Sequence, residues 1–305
     1  MILFLKIYFK NIILFVLIFL LLKIVVIDKI DYWEMIWMNR YKKDYIKWIL
    51  SDKYYAKNFA KSIGFNVAET YLVVNKIDKL DNFNKTNYVI KPSDLCDSCG
   101  VFLMRNNINI LDKKQYTLNT IKKKLKYIRN KLGNSQEYYM HEEMYGHIPP
   151  KRYIVEELLL DNNNLPNDYK CYTFNGRIFL IAVTYNRKID NKGNQTFDSL
   201  WLTRDWIPIP FKMIKKNYKF NIIPKPKGFN KMIKIVEHAS SILDRHCRID
   251  VFLVNGECYF GEFTFFGGAF LHTKFCNFIL GLKWKINEDK KRNDKLILKH
   301  LNNSE

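Results

Sequence analysis

Asn255 and Gly256 separate two runs, Arg248 to Val254 and Glu257 to Gly268, that are rich in β-branched and aromatic residues. An Asn-Gly pair between such runs is the strongest short-range signal for a β-hairpin, because both turn residues accept positive φ. A hairpin constrains the chain more than any other local feature here, since its loop length fixes which side chains share a face. With a two-residue turn, Ile249 falls opposite Glu262, and Asp250 and Glu262 project from opposite faces. With a three-residue turn over Val254, Asn255 and Gly256, Gly256 takes the left-handed bulge position. Arg248 then falls opposite Glu262 and Asp250 opposite Phe260, and Arg248, Asp250, Glu262 and Thr264 share one face. Only this second register makes a site.

Two carboxylates diagonal on a ribbon, roughly 7 Å apart at the backbone, can converge on a hard divalent cation that prefers oxygen ligands. Magnesium is the natural occupant. An Arg beside the pair suits phosphoryl oxygens, because its planar fork stays charged and binds two oxygens at once. The alternative is a salt-bridged hairpin, since Arg opposite Glu is also an ordinary cross-strand pair.

Arg248, Asp250, the hairpin, then Gly261, Glu262, Thr264 and the Gly267-Gly268 pair resemble the last nucleotide-binding motif of the ATP-grasp fold, in particular its TupA-like branch, associated with teichuronopeptide and surface-polysaccharide biosynthesis. The resemblance runs as an ordered set of elements from Ser51 to Trp284. It implies an α+β ATP-grasp fold, with two lobes clasping ATP and with ATP and Mg2+ as cofactors. Asp250, Glu262 and Thr264 become the metal-side residues and Arg248 the catalytic cation. Lys91 ends the short apolar strand Asn87 to Pro92, and the resemblance gives it a phosphate contact. Ser98 and Gly100 lie in the loop expected to cover the phosphates. Glu156, Glu157 and Leu158 fall at the hinge, where backbone groups pair with adenine and a carboxylate holds ribose. Asp168 and Lys170, on one face of a second Asn-Gly hairpin, complete the nucleotide set; surface ion pairing is their alternative. The chain departs from the family pattern at Cys96 to Gly100 and at Phe266, where Pro usually precedes the Gly pair; Thr264 stands where ATP-grasp enzymes generally carry Asn but matches this branch.

The formal charge of +20 favours anionic partners such as nucleotides, acidic polymers or an anionic membrane face. Lys122 to Lys124 lies on a helical pattern and reads as a solvated face; nucleic acid is not expected, because no partner motif or interleaved aromatics accompany it. Of the six Cys, only Cys96 and Cys99 are closely spaced, and no second pair or nearby His completes a zinc site. His147 is a candidate catalytic His set against a structural role.

Ile12 to Leu22 is uninterruptedly apolar, and Ile24 to Ile27 resumes the run after Lys23. This approaches the ~17–25 residues of a spanning helix, and Ile2 to Phe9 can extend it. No Ala, Gly or Ser precedes Ser51 to supply a signal-peptide cleavage site, so an uncleaved transmembrane or membrane-anchoring helix is expected, a buried amphipathic helix being the alternative. Arg40, Lys42, Lys43 and Lys47 then place the catalytic domain in the cytoplasm. The expected organisation is an anchor over 1–28, a linker helix and N-terminal segment over 29–86, a first lobe over 87–155, a second lobe over 156–287, and a basic tail over 288–305. The expected activity is carboxylate–amine ligation through an acyl phosphate, on an acidic small molecule or polymer and an amine, in envelope polysaccharide or glycopeptide synthesis. A kinase or glycosyltransferase-pathway enzyme of the same fold, and a non-enzymatic anchored protein that binds anionic polymer, are the alternatives.

Overall fold

The computed structural model describes residues 30–40, 42, 44–80, 83–95, 98–132, 151–189, 195–216 and 223–302. The expected anchor over 1–28, Cys96 and His147 lie outside these residues. Among the described residues no helix is long and apolar enough to cross a membrane.

Two five-stranded antiparallel sheets organise the described residues. The first contains β1 (Thr70–Val74), β2 (Asn87–Pro92), β3 (Phe102–Arg105), β4 (Ile108–Asn109) and β5 (Tyr153–Glu156), in the order β1-β5-β2-β3-β4. β5 is buried at all four residues because it lies between β1 and β2. The apolar stripe of α4 (Leu118–Leu132) closes this lobe, packing Ile121 and Leu125 with Tyr88, Ile90 and Met104.

The second sheet contains β6 (Asp168–Phe174), β7 (Arg177–Ile189), β8 (Gln195–Thr203), β9 (Cys247–Val254) and β10 (Glu257–Thr264), in the order β10-β9-β6-β7-β8. One face is covered by α5 (Phe229–Leu243), whose Met232, Val236, Ala239 and Leu243 pack with Cys171, Ile181, Ile249 and Val251. The same core takes Ala56, Phe59 and Ala60 from α3 (Lys53–Ser62). Asp52 caps α3, accepting from the Tyr54 and Tyr55 amides at 2.8 and 3.3 Å. On part of the other face, Tyr172, Phe174, Leu180 and Trp201 meet α1 (Tyr32–Arg40) and α6 (Lys274–Ile286). The short α2 (Tyr45–Ile49) connects α1 to α3.

The segment read as a linker therefore contributes to three places: α1 and α3 to the second lobe's two cores, and β1 to the first sheet. The residues expected to form a basic tail include α7 (Asp294–Asn302), which buries Ile297 and Leu301 against the second lobe.

The register of the key hairpin differs from the one expected. Val254 pairs with Glu257, and Asn255 and Gly256 alone make the turn, at φ of 52° and 81°. The Asn-Gly pair supplies the twist that matches two right-handed strands, so no third residue is recruited. The extra residue is absorbed further along. A bulge between Phe260 and Glu262 shifts the ladder, so that Glu262 lies opposite Asp250 and Thr264 opposite Arg248. Gly261 permits it: a Cβ there would lie 2.8 Å from the Asp250 carbonyl oxygen. The four side chains share a face by this route, with the two acids directly opposed rather than diagonal.

Candidate active site between the lobes

The bulged ribbon and the neighbouring strand β6 build one wall of a cleft of about 400 Å³. Its lining includes Lys91, Ser98, Glu156, Glu157 and Leu158 from the first lobe and hinge. From the second sheet come Asp168, Lys170, Arg248, Asp250 and Glu262. That size is ordinary for a ligand site, which needs roughly 300–1,000 Å³.

Arg248 organises the second-lobe wall. Its Nε and Nη2 donate to Asp250 Oδ1 and Oδ2 at 2.7 and 2.8 Å, a bidentate pairing. Nη2 also donates to Glu262 Oε1 at 3.2 Å and to Thr264 Oγ1 at 3.0 Å. The Thr264 hydroxyl in turn donates to Glu262 Oε1 at 3.1 Å. Lys170 sits opposite Asp250 in the β6–β9 ladder and bridges Asp250 Oδ2 at 2.7 Å to Asp168 Oδ2 at 2.8 Å. Burial opposes the charge of Asp250, but Arg248 and Lys170 outweigh it and hold the carboxyl below the usual carboxylate range. Burial likewise works against Lys170, yet Asp168 and Asp250 lift its pKa above the ordinary lysine value.

These residues fit a hard divalent cation. Asp250 and Glu262 present oxygen donors from adjacent strands, and Asp168 Oδ1 is buried without a hydrogen-bond partner. Among the described residues no group of three or more His, Cys, Asp and Glu is placed to hold a metal by itself. That suits magnesium, which is usually held through one or two carboxylates and completed by water and substrate phosphate. The same acids are neutralised here by Arg248 and Lys170, so a cation would compete with their existing ion pairs.

The first-lobe wall carries a second charged cluster. Glu156 is 6% exposed and receives Lys57 Nζ on Oε2 at 2.6 Å and Lys91 Nζ on Oε1. Burial pushes the Glu156 pKa up, but the two ammonium groups overcome it and leave the carboxyl below its usual value. Burial pulls Lys57 down from the ordinary lysine value, with Glu156 opposing. Glu156 therefore serves Lys57 and Lys91 as counter-ion, with one ammonium group on each carboxylate oxygen. Glu157 anchors the hinge to the chain before β1: its amide donates to the Glu69 carbonyl at 2.8 Å, and its Oε2 accepts from the Glu69 amide at 3.2 Å. Leu158 is buried at the cleft wall.

Ser98 lines the cleft with φ of 58°. Gly100 does not line it: its Cα faces Pro92 and Leu125, which a Cβ would meet at 3.0 Å. Gly100 closes the loop against the first lobe's core. Thr264 lies behind the cleft wall and acts on it through Arg248 and Glu262. Lys53, Lys57 and Arg187 line the cleft and were not among the sequence candidates. Lys57 had a legible signal, a charge falling beside Ala56, Phe59 and Ala60 on the buried stripe of α3.

A family model described as TupA-like ATPgrasp matches residues 34–281, well over half of the chain. Similar solved structures include D-alanine-D-alanine ligase from Helicobacter pylori, at 16% identity and TM-score 0.38, covering 84% of this chain and 59% of that one. The Bacillus anthracis D-alanine-D-alanine ligase complexed with ATP is 13% identical, TM-score 0.41, covering 84% and 66%. The L-amino acid ligase from Bacillus licheniformis is 13% identical, TM-score 0.39, covering 70% and 42%. The chain thus spans about 60% of the length of the first of these ligases and less than half of the last. The comparison with curated proteins gives no match. At such identities the structural likeness is coarse, and it is the family match, together with the motif it contains at Arg248 to Thr264, that decides the assignment: this chain belongs to the TupA-like ATP-grasp family.

Proposed function

We propose that the protein is an ATP- and magnesium-dependent carboxylate–amine ligase working through an acyl phosphate. The observation that supports this most is the convergence of Arg248, Asp250 and Glu262 on one wall of a cleft whose other wall presents Lys91. In the first half-reaction a substrate carboxylate oxygen takes the γ-phosphoryl group of ATP and ADP leaves. In the second an amine nitrogen attacks the acyl carbon, inorganic phosphate leaves, and the amine's proton passes to solvent. Magnesium held by Asp250 and Glu262 would neutralise phosphate charge during in-line transfer. Lys91 binds nucleotide phosphate, with Glu156 orienting its ammonium group. Arg248, released from part of its pairing with Asp250 and Glu262, steadies the phosphoryl oxygens and the acyl phosphate. Thr264 keeps Arg248 and Glu262 in register.

Within this reading the acid substrate belongs to an acidic envelope polymer or its precursor, and residues 1–28 anchor the catalytic domain at the cytoplasmic side of a membrane. The apolar run at Ile12 to Leu22 and the basic residues after it support the anchor. The test is magnesium-dependent ADP release across a panel of acids and amines, with Asp250→Asn and Glu262→Gln as controls. Amine-dependent ADP release lost in both variants is the expected result. ADP release that needs no amine would make the protein a kinase, and unaltered release in both variants would remove the site from the reaction.

A further inference from the structure

Residues 207–216 and 269–275 meet beside the cleft mouth. The Lys215 amide donates to the Leu271 carbonyl at 2.8 Å, Lys215 Nζ to the Phe270 carbonyl at 2.7 Å, and the Thr273 amide to the Met213 carbonyl at 2.9 Å. The pair of segments leaves large apolar side chains in solvent: Phe211 is 58% exposed, Phe270 55% and Phe275 43%. These are not scattered. Phe211 and Phe275 pack ring to ring at 5.2 Å, and Phe270 packs on Trp33 of α1 at 5.9 Å, which continues to Trp37 at 5.6 Å. Ile207 on the first segment and Met38 on α1 are each 60% exposed.

The charge around these rings has one sign within the two segments. They carry Lys212, Lys215, Lys216 and Lys274 and contain no Asp or Glu; Glu34, on α1, is the acid of the adjoining element. Contiguous exposed apolar surface marks an interaction site. Aromatic rings occur both in protein interfaces and at the membrane boundary, but lysine separates the two. It is depleted from protein–protein interfaces, whereas at an anionic leaflet each lysine is attracted and its stem lies along the apolar layer. Position gives a second argument. α1, which bears Trp33 and Trp37, follows a sequence whose residues 12–22 are uninterruptedly apolar, so the face sits where a membrane-seeking stretch joins the folded chain.

We propose that the face formed by residues 207–216, 269–275 and the Trp33 side of α1 docks on an anionic lipid bilayer. Phe270 and Leu271 belong both to this face and to the cleft lining, so docking brings the cleft mouth to the headgroup layer. The docking does not depend on the ligase reading.

Hydrogen–deuterium exchange of the full chain tests it, in solution, with phosphatidylcholine vesicles, and with phosphatidylcholine vesicles containing phosphatidylglycerol. Exchange in 207–216 and 269–275 is expected to slow on the anionic vesicles and to slow less on the neutral ones. The triple variant Lys212→Gln, Lys216→Gln, Lys274→Gln is expected to lose about a hundredfold of that protection, from about fivefold (about 1 kcal/mol) per lysine, with exchange elsewhere unchanged. Phe211→Ser with Phe275→Ser is expected to lose it on both kinds of vesicle. A chain that sediments with vesicles while both segments exchange at their solution rate overturns the proposal, because the N-terminal stretch then holds the membrane alone. Protection that grows with protein concentration in the absence of vesicles also overturns it, assigning the face to a second copy.

Discussion

The arrangement of the acids rests on a single bulge, which makes Gly261 the sharpest test of the site. A Cβ at Gly261 would stand 2.8 Å from the Asp250 carbonyl oxygen and 3.1 Å from the Phe252 ring. The first is a backbone atom inside a sheet and cannot swing aside. Forcing a side chain into a packed site typically costs about 1–3 kcal/mol, so Gly261→Val is expected to destabilise by that amount if the bulge persists. For a chain of 305 residues, with an unfolding entropy of about 2.1 cal/mol/K per residue, each kcal/mol lowers Tm by roughly 1.5 °C. If the ladder relieves the clash by continuing the register it has at Phe260 and Val251, Glu262 moves opposite Ile249 and turns away from the cleft. Either way magnesium-dependent ADP release is expected to fall steeply. Deleting Gly261 is expected to behave oppositely. An unbulged ladder through Phe260↔Val251 brings Glu262 next, opposite Asp250, and keeps Phe263 on the core face with Phe260. The assay is ADP release beside a melting curve for both variants. A fully active Gly261→Val protein of unchanged Tm, or a folded deletion variant without activity, would refute the reasoning.

Three further outcomes follow from the ion pairs and the core. His246 and His272 are buried and held neutral, each with its pKa pushed down to about 4 from 6.5 by burial first. Their contribution is fully present above pH 6.5 and is lost as pH falls towards 4, by up to about 3 kcal/mol each. Denaturant midpoints measured across that window should show the slope, and His246→Asn should remove part of it; a flat profile would refute the assignment. Lys91→Ala and Lys57→Met are each expected to raise KM for ATP about ten- to hundredfold, the worth of one charged hydrogen bond at roughly 1.5–3 kcal/mol, and an unchanged KM would leave both lysines purely structural. Ile297→Ala is expected to lower unfolding free energy by about 2–5 kcal/mol, because Ile297 is fully buried; a change within error would mean that α7 is dispensable.

The hairpins at Asn175-Gly176 and Asn255-Gly256 and the strand that stops at Pro92 were all legible in the sequence. Each depends on residues within a few positions of one another, and the backbone preferences of Asn, Gly and Pro act at that range. The motif from Arg248 to Thr264 was legible as chemistry for the same reason. Its register was not: the turn alone would have placed Glu262 opposite Ile249, and the correction depends on how closely β9 approaches β10 at Gly261.

Partnership across the chain was likewise hidden. Nothing near Glu156 announces that Lys57, 99 residues earlier, would take one of its oxygens. Nothing near Ile297 announces that it would be buried beside α3 and α5. Local propensity decides which segments become strands and helices, and the order of charged and apolar residues decides what each can offer. Which carboxylate stays free and which is consumed by a buried ammonium is set by contacts between distant segments, where desolvation makes an unpaired charge too costly to leave.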